Sequence, residues 1–235
     1  MISLVAFDLD GTLALSKQPL LDSMGEALAD LLAVAHVAVI SGGDWPQFQK
    51  QLWLMPTTGT KLYQCKDGAW KAVYAELFDD KTKQLILTAF DAALEATGFK
   101  PEQTWGNRIE DRGSQITFSA LGQEAPIHAK EVWDPDFAKR KVIQADLRKR
   151  LPDVSINMGG ATSIDITQKG VDKAHGLKRL CDASDIPLEQ MMFIGDAIFP
   201  GGNDYPAKQL GLKTVCVKDP NGTLAAITAI IACLS

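Results

Sequence analysis

The sequence predicts an α/β protein, a parallel sheet covered by helices on both faces, interrupted once by a smaller α+β unit. Three observations lead there. Short, nearly continuous apolar runs recur towards both ends of the chain: "SLVAF" (3–7), "HVAVI" (36–40), "MMFIG" (191–195) and "KTVCV" (213–217). Each run is followed by a turn signal, in order Asp-Leu-Asp-Gly, Ser-Gly-Gly, Gly-Asp and Asp-Pro-Asn-Gly, with helical patterns between the runs. The middle of the chain instead alternates polar and apolar residues. Strands buried on both faces read as unbroken apolar runs, whereas strands with one buried face alternate with period two.

The elements follow in order. The first strand (3–7) leads to a helix at 20–34, a second strand (36–40) and a helix at 46–53. The style then changes over 81–171, where a helix at 82–97 ends in "ATGFKP", with Gly98 and Pro101 as the stop. Strands are expected at 104–109 and 114–121, a charged helix at 135–150, and further strands at 154–158 and 162–167. In "DRGSQITFSALGQ", Ile116, Phe118 and Ala120 fall on one face and Gln115, Thr117 and Ser119 on the other, the reading of a half-buried strand. The helix–strand alternation resumes with a helix at 172–183 and closes with one at 222–233. The expected division is a core of 1–80 plus 172–235 and an inserted unit of 81–171.

Composition narrows the function classes. The chain has 235 residues, 46% hydrophobic and 23% charged, as in soluble globular proteins. Its formal net charge of −5 comes with no block of like charge, which argues against a nucleic-acid or anionic-membrane surface. The four cysteines (Cys65, Cys181, Cys216, Cys233) are scattered and form no C-x-x-C pair, as expected of reduced core thiols. "MISLVAFDLDGTL" lacks a basic leader region and no stretch reads as a membrane span, so a cytoplasmic location is expected.

The chemistry concentrates at the ends of the apolar strands, where open α/β sheets place their ligands. In "FDLDGTL" (7–13), Asp8 and Asp10 are two residues apart and leave the sheet on one side. Two carboxylates so close repel unless a cation neutralises them, and a hard divalent cation such as Mg²⁺ suits oxygen ligands. Gly11 permits a tight turn, and the Thr12 hydroxyl can steady the carboxylates or a phosphate oxygen. "ISGG" (40–43) supplies Ser41 and the amides of Gly42 and Gly43, a suitable anion nest. "KGVDKAHGLKRL" (169–180) puts Lys173 at a helix start, and "FIGDAIFPGGNDYP" (193–206) supplies Asp196, Asn203 and Asp204. Any one of these is an ordinary turn on its own; four together at strand ends or a helix start describe one site.

Together these residues resemble the four motifs of the haloacid dehalogenase superfamily of phosphotransferases, in order along the whole chain. The resemblance implies a Rossmann-like core with an inserted α+β cap that closes over it and chooses the substrate. It makes Asp8 the nucleophile that takes the phosphoryl group and Asp10 the general acid and base. Ser41 and Lys173 would hold the phosphoryl group. Mg²⁺ would be bound by Asp8, Asp196 and the Asp10 backbone carbonyl, with Asn203 and Asp204 supporting that shell.

A narrower resemblance is to the eukaryotic-type phosphomannomutases, carried by "PGGNDYP", "GGATSIDI" (159–166), "KVIQADLRKRL" (141–151) and the opening stretch. It implies that Arg112, Ser163 and Asp165 recognise the substrate's distal phosphate and sugar hydroxyls. It also implies departures: Gln123, Lys130 and Lys17 stand where that family has arginines, and Ser41 where a glycine is expected. A mutase must hold a second phosphate, which bidentate arginines serve best. One fork lost at Gln123 weakens that grip by about 1.5–3 kcal/mol. The expectation is therefore a Mg²⁺-dependent sugar-phosphate phosphatase, acting on a hexose phosphate such as mannose 6-phosphate, with a phosphomannomutase as the alternative. A non-catalytic receiver-like phospho-acceptor is disfavoured, because it would need neither the cap nor Asp10. Cap-to-cap pairing, as in the related mutases, is carried over as an option that the apolar pattern does not demand.

Other residues carry blander readings. His36, His128 and His175 lack metal-ligand spacing, the five tryptophans form no helical stripe, and Arg108 with Glu110 reads as an ion pair on a solvated face.

Overall fold

The computed structural model describes residues 1–15, 18–41, 52–66, 68–99 and 101–235. They divide into two compact units, Met1–Ala75 with Val171–Ser235, and Glu76–Gly170. Among the described residues no helix is long and apolar enough to cross a membrane.

The first unit is built on a sheet of seven strands. Its parallel part runs through Leu4–Phe7 (β1), His36–Ile40 (β2), Leu52–Met55 (β3), Met191–Gly195 (β10) and Lys213–Cys216 (β11). β1 is central, with Leu4 level with both His36 and Met191. Two antiparallel strands, Lys61–Lys66 (β4) and Ala69–Ala75 (β5), extend the sheet beyond β3. Along β1 and β2 successive side chains go to opposite faces. Leu4, Ala6, Ala38 and Ile40 join a cluster with Leu177 and Leu180 of the helix Lys173–Ser184 (α5). Val5, Phe7, Val37 and Val39 face the helices Asp22–Leu31 (α1) and Pro220–Leu234 (α7), meeting Leu28 and Ile227. Every central strand is thus buried twice, the physical reason its sequence carries no alternation.

In this unit the starts of α5 and α7 are fixed by aspartate caps. Asp172 accepts from the His175 amide (2.9 Å) ahead of α5, and Asp219 from the Gly222 amide (3.0 Å) ahead of α7.

The second unit is a four-stranded sheet in the order β6-β7-β9-β8, namely Ile109–Asp111, Gln115–Ser119, Ser163–Gln168 and Val154–Met158. All its pairings are antiparallel. Helices Asp80–Thr97 (α2) and Ala138–Arg150 (α4) cover one face, where Ile86, Phe90, Ile143 and Leu147 pack on Ile116, Phe118, Ile164 and Ile166. Asp79 caps α2 through the Thr82 amide (2.8 Å). Along α4, donors four residues apart reach carbonyls of the edge strand β8 and its turn. Arg140 takes Gly159 and Gly160, Gln144 takes Ile156 (2.7 Å), and Arg148 takes Ile156 (3.3 Å). A helical stripe of polar side chains therefore occupies edge carbonyls that would otherwise be open to pairing.

Several expectations need correction. The helix expected at 46–53 is replaced at its end by β3, and 46–51 lie outside the described residues. The antiparallel pair β4–β5 was not anticipated, although "CKDGAW" carries an Asp-Gly turn signal. In the second unit no strand forms over 104–108, where Gly106 at φ +67° interrupts the run, and the strand begins only with β6 at Ile109. The charged helix expected at 135–150 is present as α4, which begins after Phe137 at φ +64°, and a separate preceding helix, Ile127–Trp133 (α3), was not anticipated. The strand β7 is buried on both faces rather than half-buried, with Gln115, Thr117 and Ser119 as inaccessible as Ile116 and Phe118.

Candidate active site

Three strand ends and one helix start meet in the first unit. Asp8 directly follows β1, Ser41 directly follows β2, Asp196 directly follows β10, and Lys173 is the first residue of α5. Parallel strands in register put their C-terminal ends at one edge, so adjacency of β10, β1 and β2 gathers these residues.

Lys173 is the hub. Its Nζ lies 2.7 Å from Asp8 Oδ1 and also donates to Asp204 Oδ1, with all three side chains buried. Burial pushes the Asp8 pKa up to about 7, against the pull of the Lys173 ammonium and with the like charge of Asp204 adding to the rise. Burial works against the charged Lys173, but Asp8 and Asp204 outweigh it and the net shift is upward. Asp196 is also raised, first by burial and then by Asp204.

The turn after β1 is shaped for these neighbours. The amides of Thr12, Leu13 and Ala14 converge on the Leu9 carbonyl, and the Gly11 amide donates to Ala14 O at 2.7 Å. Gly11 sits at φ +81°, and a Cβ there would lie 2.6 Å from Asp196 Oδ2. Only glycine meets both demands. Thr12 is fully buried; its hydroxyl donates to Asp196 Oδ1 at 3.5 Å and its carbonyl accepts from Thr223 Oγ1 at 2.7 Å. Asp10 is half-buried, the more accessible of the two turn carboxylates.

Asp8, Asp196 and Asp204 offer carboxylate oxygens that all lie within 4.8 Å of one another. An all-oxygen, acidic donor set of this kind fits a hard divalent cation such as Mg²⁺, which would offset the burial of these carboxylates and the Asp204 charge that adds to the rise of Asp8 and Asp196. Asp204 also accepts from the Ala197 amide (2.9 Å), and the missing Cβ of Gly195 makes room for it. Asp204 is thus drawn into the cluster itself, while Asn203 is exposed and the Asp10 carboxylate is not part of the group. Lys17 and Gly42 lie outside the described residues.

Ser41 is 5% exposed and is held by a segment that sequence reading passed over. Its amide donates to Met55 O (3.1 Å) and its carbonyl accepts from the Thr58 amide (2.9 Å). Thr57 and Thr58 have φ of +55° and +60°, a left-handed conformation that β-branched residues rarely adopt. They persist because the segment is over-determined: Tyr74 Oη donates to Gly59 O (2.7 Å), and Gly59 leaves no room for a side chain against Gly176 of α5. The same segment therefore touches both the Ser41 strand end and the helix that begins with Lys173. "PTTGT" alone holds no signal for this beyond its Pro and Gly.

The second unit carries the other expected residues. On the polar face of its sheet, the register sets Thr117 opposite both Glu110 and Asp165, and Ser119 opposite Ser163. Thr117 Oγ1 donates to Asp165 Oδ1 at 2.8 Å, and Arg112 pairs with Glu110 at 2.7 Å. Burial raises the Asp165 pKa, with the Thr117 hydroxyl and the Arg112 charge opposing it. Arg108 departs from the expected ion pair with Glu110. It stacks 5.0 Å above the Phe118 ring and donates to Ala120 O (3.1 Å). Beyond β7, Lys130 Nζ donates to the Gln123 carbonyl (3.1 Å) and is almost fully buried. His36 meets Trp53 edge-on at 5.3 Å, a packing role, and all four cysteines are free thiols.

Comparison with known proteins shows the family. Residues 5–207 match the haloacid dehalogenase-like hydrolase family. Among curated relatives, the phosphomannomutase of Arabidopsis thaliana is 27% identical over 247 residues, covering 95% of this chain and 94% of that one. The phosphomannomutase of Spinacia oleracea is 28% identical over 218 residues, covering 85% and 83%. Among solved structures, N-terminally truncated Plasmodium falciparum IMP-nucleotidase superposes with a TM-score of 0.73 at 18% identity, over 100% of this chain and 71% of that one. The C-terminal domain of C. albicans trehalose-6-phosphate phosphatase gives 0.68 at 18% identity, over 100% and 94%. At such identities the structures share the fold. With a cluster of buried charged residues at the strand ends and a family match over most of its length, the chain belongs to the haloacid dehalogenase-like hydrolases, as an enzyme of their phosphatase and mutase type.

Proposed function

We propose that the chain is a Mg²⁺-dependent phosphatase that removes phosphate from a small sugar phosphate, a hexose 6-phosphate such as mannose 6-phosphate. The observation that carries the chemistry is the buried Asp8–Lys173 contact of 2.7 Å beside Asp196 and Asp204. The Asp8 carboxylate attacks phosphorus and the bond from phosphorus to the sugar oxygen breaks, leaving an aspartyl-phosphate. Asp10, the accessible carboxyl of the turn, gives its proton to the departing sugar oxygen. It then takes a proton from the water that attacks the same phosphorus, and Asp8 is released with inorganic phosphate. Lys173 and the Ser41 hydroxyl hold the phosphoryl oxygens throughout, and most of the rate comes from such positioned charge. When bound, Mg²⁺ held by Asp8 and Asp196 would add positive charge against the phosphoryl oxygens. Thr12 keeps Asp196 oriented, and Asp204 keeps Lys173 charged.

Arg112, Ser163 and Asp165 of the inserted unit are assigned to the sugar. A hydrolase is favoured over a mutase by Gln123, a neutral side chain where the resemblance expects an arginine. At a second such position, Lys130 already donates to the Gln123 carbonyl. The phosphomannomutase relatives, at 27% and 28% identity, favour the alternative, interconversion of mannose 6-phosphate and mannose 1-phosphate. One assay separates the two. Mannose 6-phosphate with Mg²⁺ is followed for free phosphate, and in parallel for mannose 1-phosphate in the presence of a sugar bisphosphate. Phosphate release is expected to dominate, and isomerisation outrunning it would make the mutase the correct reading. Asp8→Asn is expected to abolish either activity with the fold intact.

A further inference from the structure

Among the described residues the largest fully buried side chain is not apolar but Arg140, 1% exposed and paired with an equally buried Asp134. Nε donates to Asp134 Oδ2 at 2.7 Å, and the Asp134 carboxylate also accepts the amides of Lys139 (2.9 Å) and Arg140 (3.3 Å). The guanidinium lies 4.9 Å from the Phe137 ring, whose residue takes the left-handed conformation that turns the chain into α4. Nη1 is aimed elsewhere, at the carbonyls of Gly159 (3.4 Å) and Gly160.

Those two carbonyls belong to the turn that leads into β9. The Gly159 amide donates to Ser163 O (3.0 Å), and the Ser163 amide donates back to Gly160 O (3.3 Å). The far side of the turn is in close contact with the assigned sugar-binding residues. A Cβ on Gly159 would stand 2.6 Å from Asp165 Oδ2 and 3.2 Å from Ser163 Cβ. Asp165 itself is fixed on its other oxygen by Thr117. A buried ion pair contributes little net stability relative to apolar packing of the same volume, so stability alone does not account for this arginine. Its planar fork does what an apolar residue or a lysine cannot: it spans a carboxylate and two backbone carbonyls at fixed angles.

We infer that Arg140, anchored by Asp134, is a positioning residue for substrate recognition, fixing the Gly159–Gly160 turn so that Ser163 and Asp165 meet the sugar in one geometry. This rests on the reading of Ser163 and Asp165 as sugar-binding residues. Arg140 touches no substrate in this scheme and acts through the turn.

The test uses the whole chain, with mannose 6-phosphate and the sugar-free p-nitrophenyl phosphate as paired substrates. Arg140→Lys, Asp165→Asn and the double variant are compared, each checked by thermal melting. Arg140→Lys is expected to raise KM for mannose 6-phosphate about tenfold with kcat little changed, as a misplaced binding group does. Turnover of p-nitrophenyl phosphate should stay within about twofold. In the Asp165→Asn background the further loss on adding Arg140→Lys should vanish, since both act on one contact. Additive losses, or equal losses on both substrates, overturn the inference. If Asp165→Asn alone leaves mannose 6-phosphate kinetics unchanged, the sugar-site assignment fails instead. Should Arg140→Lys fail to fold, Gly159→Ala leaves the ion pair intact while pressing on Asp165, and the same selective rise in KM is expected. No rise there also overturns the inference.

Discussion

Lys173 Nζ lies 2.7 Å from Asp8 Oδ1, and the ammonium that makes this contact also donates to Asp204 from within the same buried pocket of charge. Removing it leaves two carboxylates buried without their cation. Lys173→Met is expected to destabilise the metal-free chain by about 3 kcal/mol near pH 8, as for other broken buried pairs. Denaturant titration measures this. The same variant should lose about 10²–10³-fold in phosphate release, the usual scale for a group that stabilises developing charge.

The raised Asp8 pKa makes stability depend on pH in a definite sense. Asp8 is pushed from an ordinary 3.8 up to about 7 in the folded chain, so between these values the folded state keeps a proton that the unfolded state has released. Its contribution to stability is therefore fully present below 3.8 and is lost as pH rises through about 7. A cation that binds the carboxylate form reverses this. Mg²⁺ should raise the melting temperature more near pH 8 than near pH 5, to be read by thermal melts with Mg²⁺ and with chelator. An equal rise at both would contradict the placement of Asp8 in the cation site.

Gly11 should not tolerate a side chain. Gly11→Ala combines a left-handed backbone with a Cβ 2.6 Å from Asp196 Oδ2, so the turn or the carboxylate must move. A stability loss of about 1–2 kcal/mol is expected from the backbone. A larger effect is expected on Mg²⁺ affinity, about tenfold weaker by calorimetric titration, if Asp196 is the ligand proposed above.

The strained pair at Thr57 and Thr58 predicts a gain. Thr58 is partly exposed at φ +60°, where glycine or asparagine sits more easily. Thr58→Asn should raise stability by about 1 kcal/mol, measured by denaturant unfolding. If instead phosphate release falls while stability rises, the strain serves the positioning of Ser41, whose carbonyl the Thr58 amide holds at 2.9 Å.

Much of the core was legible in the sequence because it is local. "SLVAF", "HVAVI" and "MMFIG" are apolar throughout since both faces of those strands are buried, and the residue after each is polar because the sheet ends there. That is enough to place Asp8, Ser41 and Asp196 at one edge, and Asp172 marks the start of α5 that carries Lys173. What lay beyond local pattern was decided by pairing and packing. Asp204 was expected only to support the metal shell, yet tertiary structure also makes it a buried partner of Lys173, 31 residues away in sequence. Thr57 and Thr58 carry no signal for a left-handed turn, which exists only because Ser41, Tyr74 and Gly176 hold it. The period of two in β7 indicated a half-buried strand, whereas its polar face is buried as well and Thr117 finds Asp165 on the neighbouring strand. Arg140 reads as one more charge in a basic helix, and only the fold supplies the Asp134 carboxylate and glycine carbonyls that let it be buried. Hydrophobic period and turn chemistry act over a few residues and are written into the chain. The partners that make a charge or a strained turn tolerable come from distant segments, and those only the folded sheet brings within hydrogen-bonding range.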